Sequence, residues 1–493
     1  MLLLLALAGA LALRWCLAAL KASAMAAKLE KHFPGATHAR PVVGHALEYW
    51  GDETHIFATT RRFIRERGSQ FYVKMMNEFA VVVSDADGTE AIMTNSKVIK
   101  KGPLYEFLLQ WLGRGLLTNF GSSWHRRRKL LTPAFHFKIL DEFGPMIAHH
   151  STRLVDDLME LARTTKGTVD VVLPVSKITL GTICETAMGV NLQDYGKEDE
   201  YFEAVRTVGT SVTYRLIRPW IWRDLIFNLT SYGREMRKCL KVLHGFTRQV
   251  IQERKKSHSV DEKTLNGGGQ ILRKRRLAFL DMMLAAQRED SSLTDDDIRE
   301  EVDTFMFEGH ETTAMAICWT LFSLGNHPDI QERVRGEVLA ADADWQAVNA
   351  LPYLEMVIKE SLRLFPPVLY IARENENGIQ IGDKVVPPGV ALDMMIFEIH
   401  RDPVHFPDPE RFDPERFSPE QELGRHPFAY VPFSGGLRNC IGKRFAMMEL
   451  KIMLAAILRT FSFRSEHSMQ EIVYRPELVL RPKQGIQLHI TPL

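Results

Sequence analysis

Hydrophobic and polar positions fall into three textures along the chain. Residues 1–20 are apolar apart from Arg14, and as a helix at about 1.5 Å per residue this run reaches the roughly 30 Å of a hydrocarbon core. From about residue 85 to 365 apolar residues recur at three- and four-residue spacing with few prolines, which predicts helices almost throughout. Ahead of them Phe71 to Val83, rich in β-branched and aromatic residues and broken at Asn77, predicts a hairpin. Beyond Pro366-Pro367 the texture changes. Prolines clustered from Pro387 to Pro432 predict a long irregular segment, and the last strand is expected over Ile486 to Ile490.

The longest helix is also the most informative. Thr294 and Asp297 form a capping box, and the periodic run from Asp295 to Asn326 stops before Pro328, giving a helix of about 48 Å. Between Phe305-Met306-Phe307 and Ala314 to Leu324 it carries a polar island, Glu308-Gly309-His310-Glu311-Thr312-Thr313. Acids in apolar company need partners. Glu308, Glu311 and Thr312 stand at i, i+3 and i+4 and are expected on one face, while Gly309 and the threonines weaken the helix where a groove would open. His310 is expected to be a packing histidine.

At the N-terminus a retained anchor competes with a cleaved signal peptide. Ala22-Ser23-Ala24 resembles a cleavage site, but no basic segment precedes the apolar run. Lys21, Lys28 and Lys31 follow it, which places everything after residue 21 on the cytosolic side. The expected organisation is an anchor at 1–20, a basic, proline-containing hinge at 21–50 around Pro34, Gly35, Pro41 and Gly44, and one catalytic domain at 51–493.

Composition narrows the function. The 493 residues are 45% hydrophobic and 25% charged, which excludes disorder and collagen-like repeats, and a formal charge of +1 provides no general field for nucleic acid. Gly267-Gly268-Gly269 with Arg273 to Arg276 is expected to be an exposed, solvated loop. Cys16, Cys184, Cys239, Cys318 and Cys440 are odd in number and lack a CxxC pair, so neither a disulfide framework nor a zinc site is indicated.

Cys440 differs from Cys184, Cys239 and Cys318, which are expected to be buried and inert. It lies in the glycine-rich run Phe433-Ser434-Gly435-Gly436-Leu437-Arg438-Asn439-Cys440-Ile441-Gly442, directly before an apolar helical run from Lys443 to Phe461. A helix starting there aims its positive end at the sulfur, which favours a thiolate, either nucleophile or metal ligand. Gly436 and Gly442 would let the backbone lie against a large planar cofactor.

These residues fit F-x-x-G-x-R-x-C-x-G and resemble the haem-binding signature of the cytochrome P-450 superfamily. The resemblance implies that Cys440 is the proximal haem ligand, that Phe433 and Gly436 belong to the haem-binding loop, and that Arg438 pairs with a propionate. Trp124 and Arg128 fit W-x-x-x-R, Arg373 stands where the family places another propionate contact, and Glu360 and Arg363 fit E-x-x-R with Arg416, chosen over Arg411, as third partner. Glu311 and Thr312 would be the acid and alcohol that deliver protons to dioxygen. The stretch from Glu301 to Thr313 resembles family four, the fatty-acid ω-hydroxylase group. Glu311 departs from the Asp usual there, and Glu308 matches the glutamate that becomes ester-linked to haem.

The implied fold is mainly α, a cytochrome P-450 fold with a large helical domain, a smaller β-rich lobe and an N-terminal transmembrane helix. The implied protein is a haem-thiolate monooxygenase of the endoplasmic reticulum membrane with a cytosolic catalytic domain. It would use haem b, dioxygen and NADPH electrons from NADPH-cytochrome P-450 reductase, with cytochrome b5 as a second candidate donor, to hydroxylate lipophilic chains at or near a terminus. Xenobiotic, terpenoid or odorant oxidation stays open, as do a haem-thiolate isomerase or dehydratase, a haem sensor and an aldehyde decarbonylase, although Glu311-Thr312 argue against the isomerase. Arg126, Arg127, Lys129, Lys443 and Arg444 are candidates for a basic docking face. Tyr105, Leu116, Leu117, Val368, Leu369, Ile371 and Val479 are candidates for an apolar pocket.

Overall fold

The computed structural model describes residues 2–165, 167–192, 196, 198–265 and 279–493, without the side chains at 2–12, 15, 138 and 257–265. The expected loop at 267–276 lies outside the described residues. The body is mainly helical with a small β-rich region, as the periodicity predicts.

The helix Asp295–Asn326 has the expected bounds, and both bonds of the Thr294–Asp297 capping box are present. It packs against Val172–Ile183, Ser231–Leu265, Pro352–Leu364 and Lys443–Thr460, which bury nearly all of its apolar side chains. The polar island does not break it. Helical structure continues through Glu308 to Thr313, and Gly309 serves close packing, since a Cβ there would stand 2.9 Å from Ile183 Cγ1. The expectation of a weakened, opening helix is therefore corrected. His310 is a packing residue, fully buried between Tyr201 and Phe202, with Nδ1 2.5 Å from the Met306 carbonyl oxygen.

The hairpin Gln70–Met75 and Glu78–Val83 turns at Met76-Asn77. Two further strands complete its sheet: Val390–Met394 lies parallel to Glu78–Val83, and Ile371–Asn375 lies antiparallel to Val390–Met394. Sequence periodicity missed both, because they are short and bounded by prolines. A second sheet joins Val169–Asp170, Gln487–Pro492 and Phe461–Ser465, so the last strand begins one residue later than expected.

The segment from Ile399 to Lys443 is irregular, with short helical turns only. It is held by a buried ion cluster. Glu360 accepts two 2.7 Å bonds from Arg363, which also donates to the carbonyls of His400, Pro409 and Arg411. Arg416 Nε stands 3.5 Å from Glu360 Oε1, whereas Arg411 contributes its backbone oxygen. A charge buried this deeply is tolerable because Glu360 and Arg363 satisfy each other, although Arg416 Nε makes no hydrogen bond among the described residues. The cluster fixes the segment that ends in the Cys440 loop.

At the N-terminus one helix spans Leu2–Leu29, and among the described residues no helix is long and apolar enough to cross a membrane. Most of the side chains of the expected anchor at 1–20 lie outside the described residues. The end of this helix packs on the sheet through Ala22 and Leu29, and the Tyr72 hydroxyl donates to Glu30 at 2.8 Å. Residues 30–50 are irregular, yet Phe33, Ala36, His45 and Tyr49 are buried, so this stretch is docked on the lobe.

Candidate active site

A cavity of about 290 Å³ lies between the Cys440 loop, the central helix and the turn before strand Ile371–Asn375. Cys440 of the loop and Glu308, Thr312 and Ala316 of the central helix all line it.

The loop is closed by the Cys440 N–H, which donates to the Phe433 carbonyl at 2.9 Å. Gly436 adopts φ +62, and a Cβ there would collide with the Met93 carbonyl oxygen. Glycine is thus required for the loop to meet the helix Ala86–Met93, a different reason from the planar cofactor expected to lie against it. Phe433 lines the cavity. The accessible surface of Cys440 belongs to the cavity, so the thiol is open to a ligand yet remote from bulk water. Burial, helped by Glu308, pushes the thiol up to about 11, outweighing the Gly442 N–H, Arg128 and Lys443. The helix end and the nearby cations favour the thiolate, as the sequence indicates, but desolvation opposes them more strongly, so a bound metal would have to displace the proton. Cys184 and Cys318 are buried and their thiols are also pushed up by burial, as inert core cysteines should be.

Around the same cavity stands a cluster of cations. Arg438 lies 4.7 Å over the Trp124 ring and donates to the carbonyls of Leu116 and Leu117 at 3.2 and 2.9 Å. Burial, then Arg373, pushes its guanidinium down to about 9, and its Nε has no hydrogen-bond partner among the described residues. Arg373 does not itself line the cavity, although its neighbours Ile371 and Ala372 do; it is buried, held down by that burial, and donates to the Ala372 carbonyl at 3.1 Å. Arg128 reaches the Asn439 carbonyl at 2.9 Å and its Oδ1 at 2.7 Å, tying helix Gly121–Leu131 to the cysteine loop.

Lys101 is the cation that sequence reasoning missed. It lines the cavity with Nζ 4.8 Å from the Tyr105 ring centroid. Burial, then Arg373 and Arg438, holds its ammonium well below the usual lysine range, while Glu308 and Cys440 favour its charge. The available signal, a Lys100-Lys101 pair before Gly102-Pro103, reads as ordinary surface charge. Four cations with Glu308 as the acid among them suit a group that carries carboxylates, and the thiol suits a soft metal ion. The donor set fits haem.

The central helix divides its acids between two faces. Burial pushes the Glu308 carboxyl up, and Lys101 and Arg438 oppose it. Glu311, expected beside it, does not line the cavity. At i+3 it is rotated about 60° from Glu308, enough to place it behind the wall. There Arg481 pairs with Glu311, and His310 Nε2 stands 3.3 Å away. Burial alone would push the Glu311 carboxyl up, but Arg481 and His310 hold it down at about 2.

All of Tyr105, Leu116, Leu117, Val368, Leu369, Ile371 and Val479 line the cavity, joined by Leu104, Val212, Leu216 and, unforeseen, Glu477. The basic face needs one correction. Arg127 is buried and paired with Asp297 and Glu301, whereas Arg126, Lys129, Lys443 and Arg444 are exposed.

Residues 34–490 match the family model "Cytochrome P450". The chain is 39% identical over 469 residues to human cytochrome P450 4V2, covering 93% of this chain and 89% of that protein. It is 38% identical over 474 residues to cytochrome P450 4c3 of Drosophila melanogaster, covering 92% and 88%. With cytochrome P450 4c21 of Blattella germanica it shares 42% over 422 residues, 83% of each chain. Family match, relatives and a cysteine facing a cation-ringed cavity agree: the chain belongs to the cytochrome P450 family of haem-dependent monooxygenases and is similar to members of its fourth group.

Proposed function

We propose that this protein is a membrane-bound monooxygenase that hydroxylates lipophilic chains, fatty acids or related molecules, at or near the terminus. The observation that carries the reading is that Cys440, on its loop, and Glu308 and Thr312, on the central helix, line one largely apolar cavity. Haem, with Cys440 as its metal ligand, supplies the redox chemistry by which dioxygen, two electrons and two protons yield one hydroxylated product and one water.

The chain's own residues do the rest. Trp124, Arg128, Arg373, Arg438 and Lys101 hold the carboxylates, and Phe433 and Gly436 shape the loop that offers the thiol. Thr312 Oγ1 holds a proton at the cavity wall, and Glu311 behind it is the acid that replenishes it. Glu308, which lines the cavity and matches the family-four glutamate, would become ester-linked to a haem methyl group during turnover. The apolar walls exclude water from the reacting carbon and admit a slim chain. Arg126, Lys129, Lys443 and Arg444 attract the acidic flavin domain of NADPH-cytochrome P-450 reductase, or cytochrome b5. The apolar run at 1–20 anchors the protein in the endoplasmic reticulum, catalytic domain on the cytosolic side.

The test has two steps. Reduced protein treated with carbon monoxide should give the thiolate-type Soret band, and Cys440→Ala should lose it. With reductase and NADPH, a panel of labelled lipids should then yield terminally hydroxylated fatty acids. A thiolate-type band in Cys440→Ala would refute the ligand, and oxidation confined to terpenoids or foreign compounds would refute the substrate class.

A further inference from the structure

Two strands near the C-terminus, Tyr474–Pro476 and Leu480–Pro482, form a hairpin whose tip, Glu477-Leu478-Val479, lines the cavity. Arg475 and Arg481 stand opposite each other in its register. From them runs an unbroken row of charges. Arg481 pairs with Glu311 on the central helix, and its Nε is 3.7 Å from Glu477 Oε2. Glu477 Oε1 is 3.0 Å from Arg475 Nη2, and Arg475 Nε is 3.0 Å from Glu53 Oε1 on helix Glu53–Arg67. Thr210 also donates to Glu477, at 3.3 Å.

Arg481 therefore serves two buried acids, one at the cavity wall and one behind it. It holds Glu311 closely and Glu477 loosely. The hairpin backbone beside it is fixed, because Trp319 Nε1 donates to the Leu480 carbonyl at 3.0 Å and the Leu480 N–H donates to the Pro367 carbonyl at 2.8 Å. What can change partner is the guanidinium, and what can push it is a ligand against the tip.

We propose that Arg481 and Glu477 are positioning residues for Glu311: a ligand seated against the hairpin tip shifts Arg481 from Glu311 to Glu477, and the freed Glu311 carboxylate takes one proton from solvent. The guanidinium keeps its charge throughout, and the proton taken up is the only change in composition. The proposal rests on Glu311 being the proton-carrying acid, and it adds how substrate makes that acid ready.

The direction follows from the surroundings. Facing Glu311 are Arg481 and Glu477 from the hairpin, Tyr201 from helix Glu198–Leu216, and His310 and Cys318 from its own helix, with Asp170 beyond Cys318. Arg481 is the strongest force favouring the ionised carboxylate, and burial opposes it. Once the guanidinium leaves, His310 alone opposes burial and the carboxyl's proton affinity rises.

Calorimetry of the haem-loaded protein tests this without turnover. Dodecan-1-ol, a slim chain with no titrating group, is bound at about pH 5.5, a unit above an ordinary glutamate, in buffers of different ionisation heat. The expected result is uptake of a substantial fraction of a proton per ligand, lost in Glu311→Gln and at least halved in Glu477→Gln. Arg481→Gln, where Glu311 has no cation to lose, should also bind without uptake. Binding with no proton uptake in the wild-type protein would overturn the proposal, as would undiminished uptake in Glu311→Gln or Glu477→Gln. Failure of the monooxygenase reading is seen separately, as absence of the thiolate-type carbon monoxide band.

Discussion

The Thr312 hydroxyl donates to the Glu308 carbonyl at 2.7 Å, one turn back along the central helix, while both residues line the cavity with Cys440. The bond turns the hydroxyl into the helix and satisfies its hydrogen. Its lone pairs remain to accept from a donor arriving in the cavity, and its own proton becomes available there once the hydroxyl rotates off the Glu308 carbonyl.

Thr312→Ala should therefore leave haem bound and substrate affinity unchanged but lower product per NADPH about tenfold or more, with hydrogen peroxide making up the difference. Peroxide and product are measured together in a reductase-supported assay. Unchanged stoichiometry would remove Thr312 from proton delivery.

Gly436 tests how the cysteine loop is held. Gly436→Ala forces an L-residue into the left-handed region, which costs about 1–2 kcal/mol, and drives its Cβ into the Met93 carbonyl. Gly424 also has positive φ, +84, but a Cβ there meets nothing within 4 Å. Gly424→Ala should then cost the strain alone and keep full haem content, while Gly436→Ala should lose most of its haem and unfold at a lower temperature. Equal effects would show that strain, and not the approach to Met93, dictates the glycine.

Asp393 supplies a pH dependence with a definite sign. It sits in strand Val390–Met394 between Val82 and Ala372, and burial pushes its carboxyl up to about 7. The folded state therefore holds a proton that the unfolded chain releases near pH 4, and this contribution to stability is lost as pH rises from about 4 to about 7. Asp393→Asn should melt higher than the wild-type protein at pH 8, by at most about 4 kcal/mol, and match it at pH 4. Comparing the two proteins cancels other titrating groups. A difference in melting temperature that is constant with pH would refute the assignment.

Much of the site was legible because it is written in local signals. A capping box, a proline stop and 3.6-residue periodicity delimit the central helix, and the spacing from Phe433 to Gly442 marks the loop. What failed needed the third dimension. Helical spacing puts about 60° between Glu308 and Glu311 but could not say where the cavity wall falls between them, nor that Arg481, 170 residues later, would claim Glu311. Arg127 and Arg128 look alike in sequence, and one is buried on Glu301 while the other ties down Asn439. At the Cys440 thiol, helix dipole and desolvation pull in opposite directions, and only the folded surroundings show that desolvation is the larger.

Glu308 was expected to find its partner in the haem edge, and the fold supplies Lys101 and Arg438 as well. The cations lower the cost of ionising a buried carboxylate, and the ionised form is the nucleophile that would bond a haem methyl carbon once the oxidant formed in turnover has removed two electrons and a proton from that methyl group. They do not neutralise it by a hydrogen bond, since no side-chain bond to Glu308 is formed among the described residues. After reductase-supported turnover, acid extraction and mass spectrometry should leave haem on the peptide containing Glu308, and Glu308→Ala should release all of it. Lys101→Met should slow attachment several-fold, because burial then keeps more of the carboxyl protonated. Complete extraction of haem from the wild-type protein would show that Glu308 stays a free acid, and equal attachment rates with and without Lys101 would show that its ionisation is not limiting.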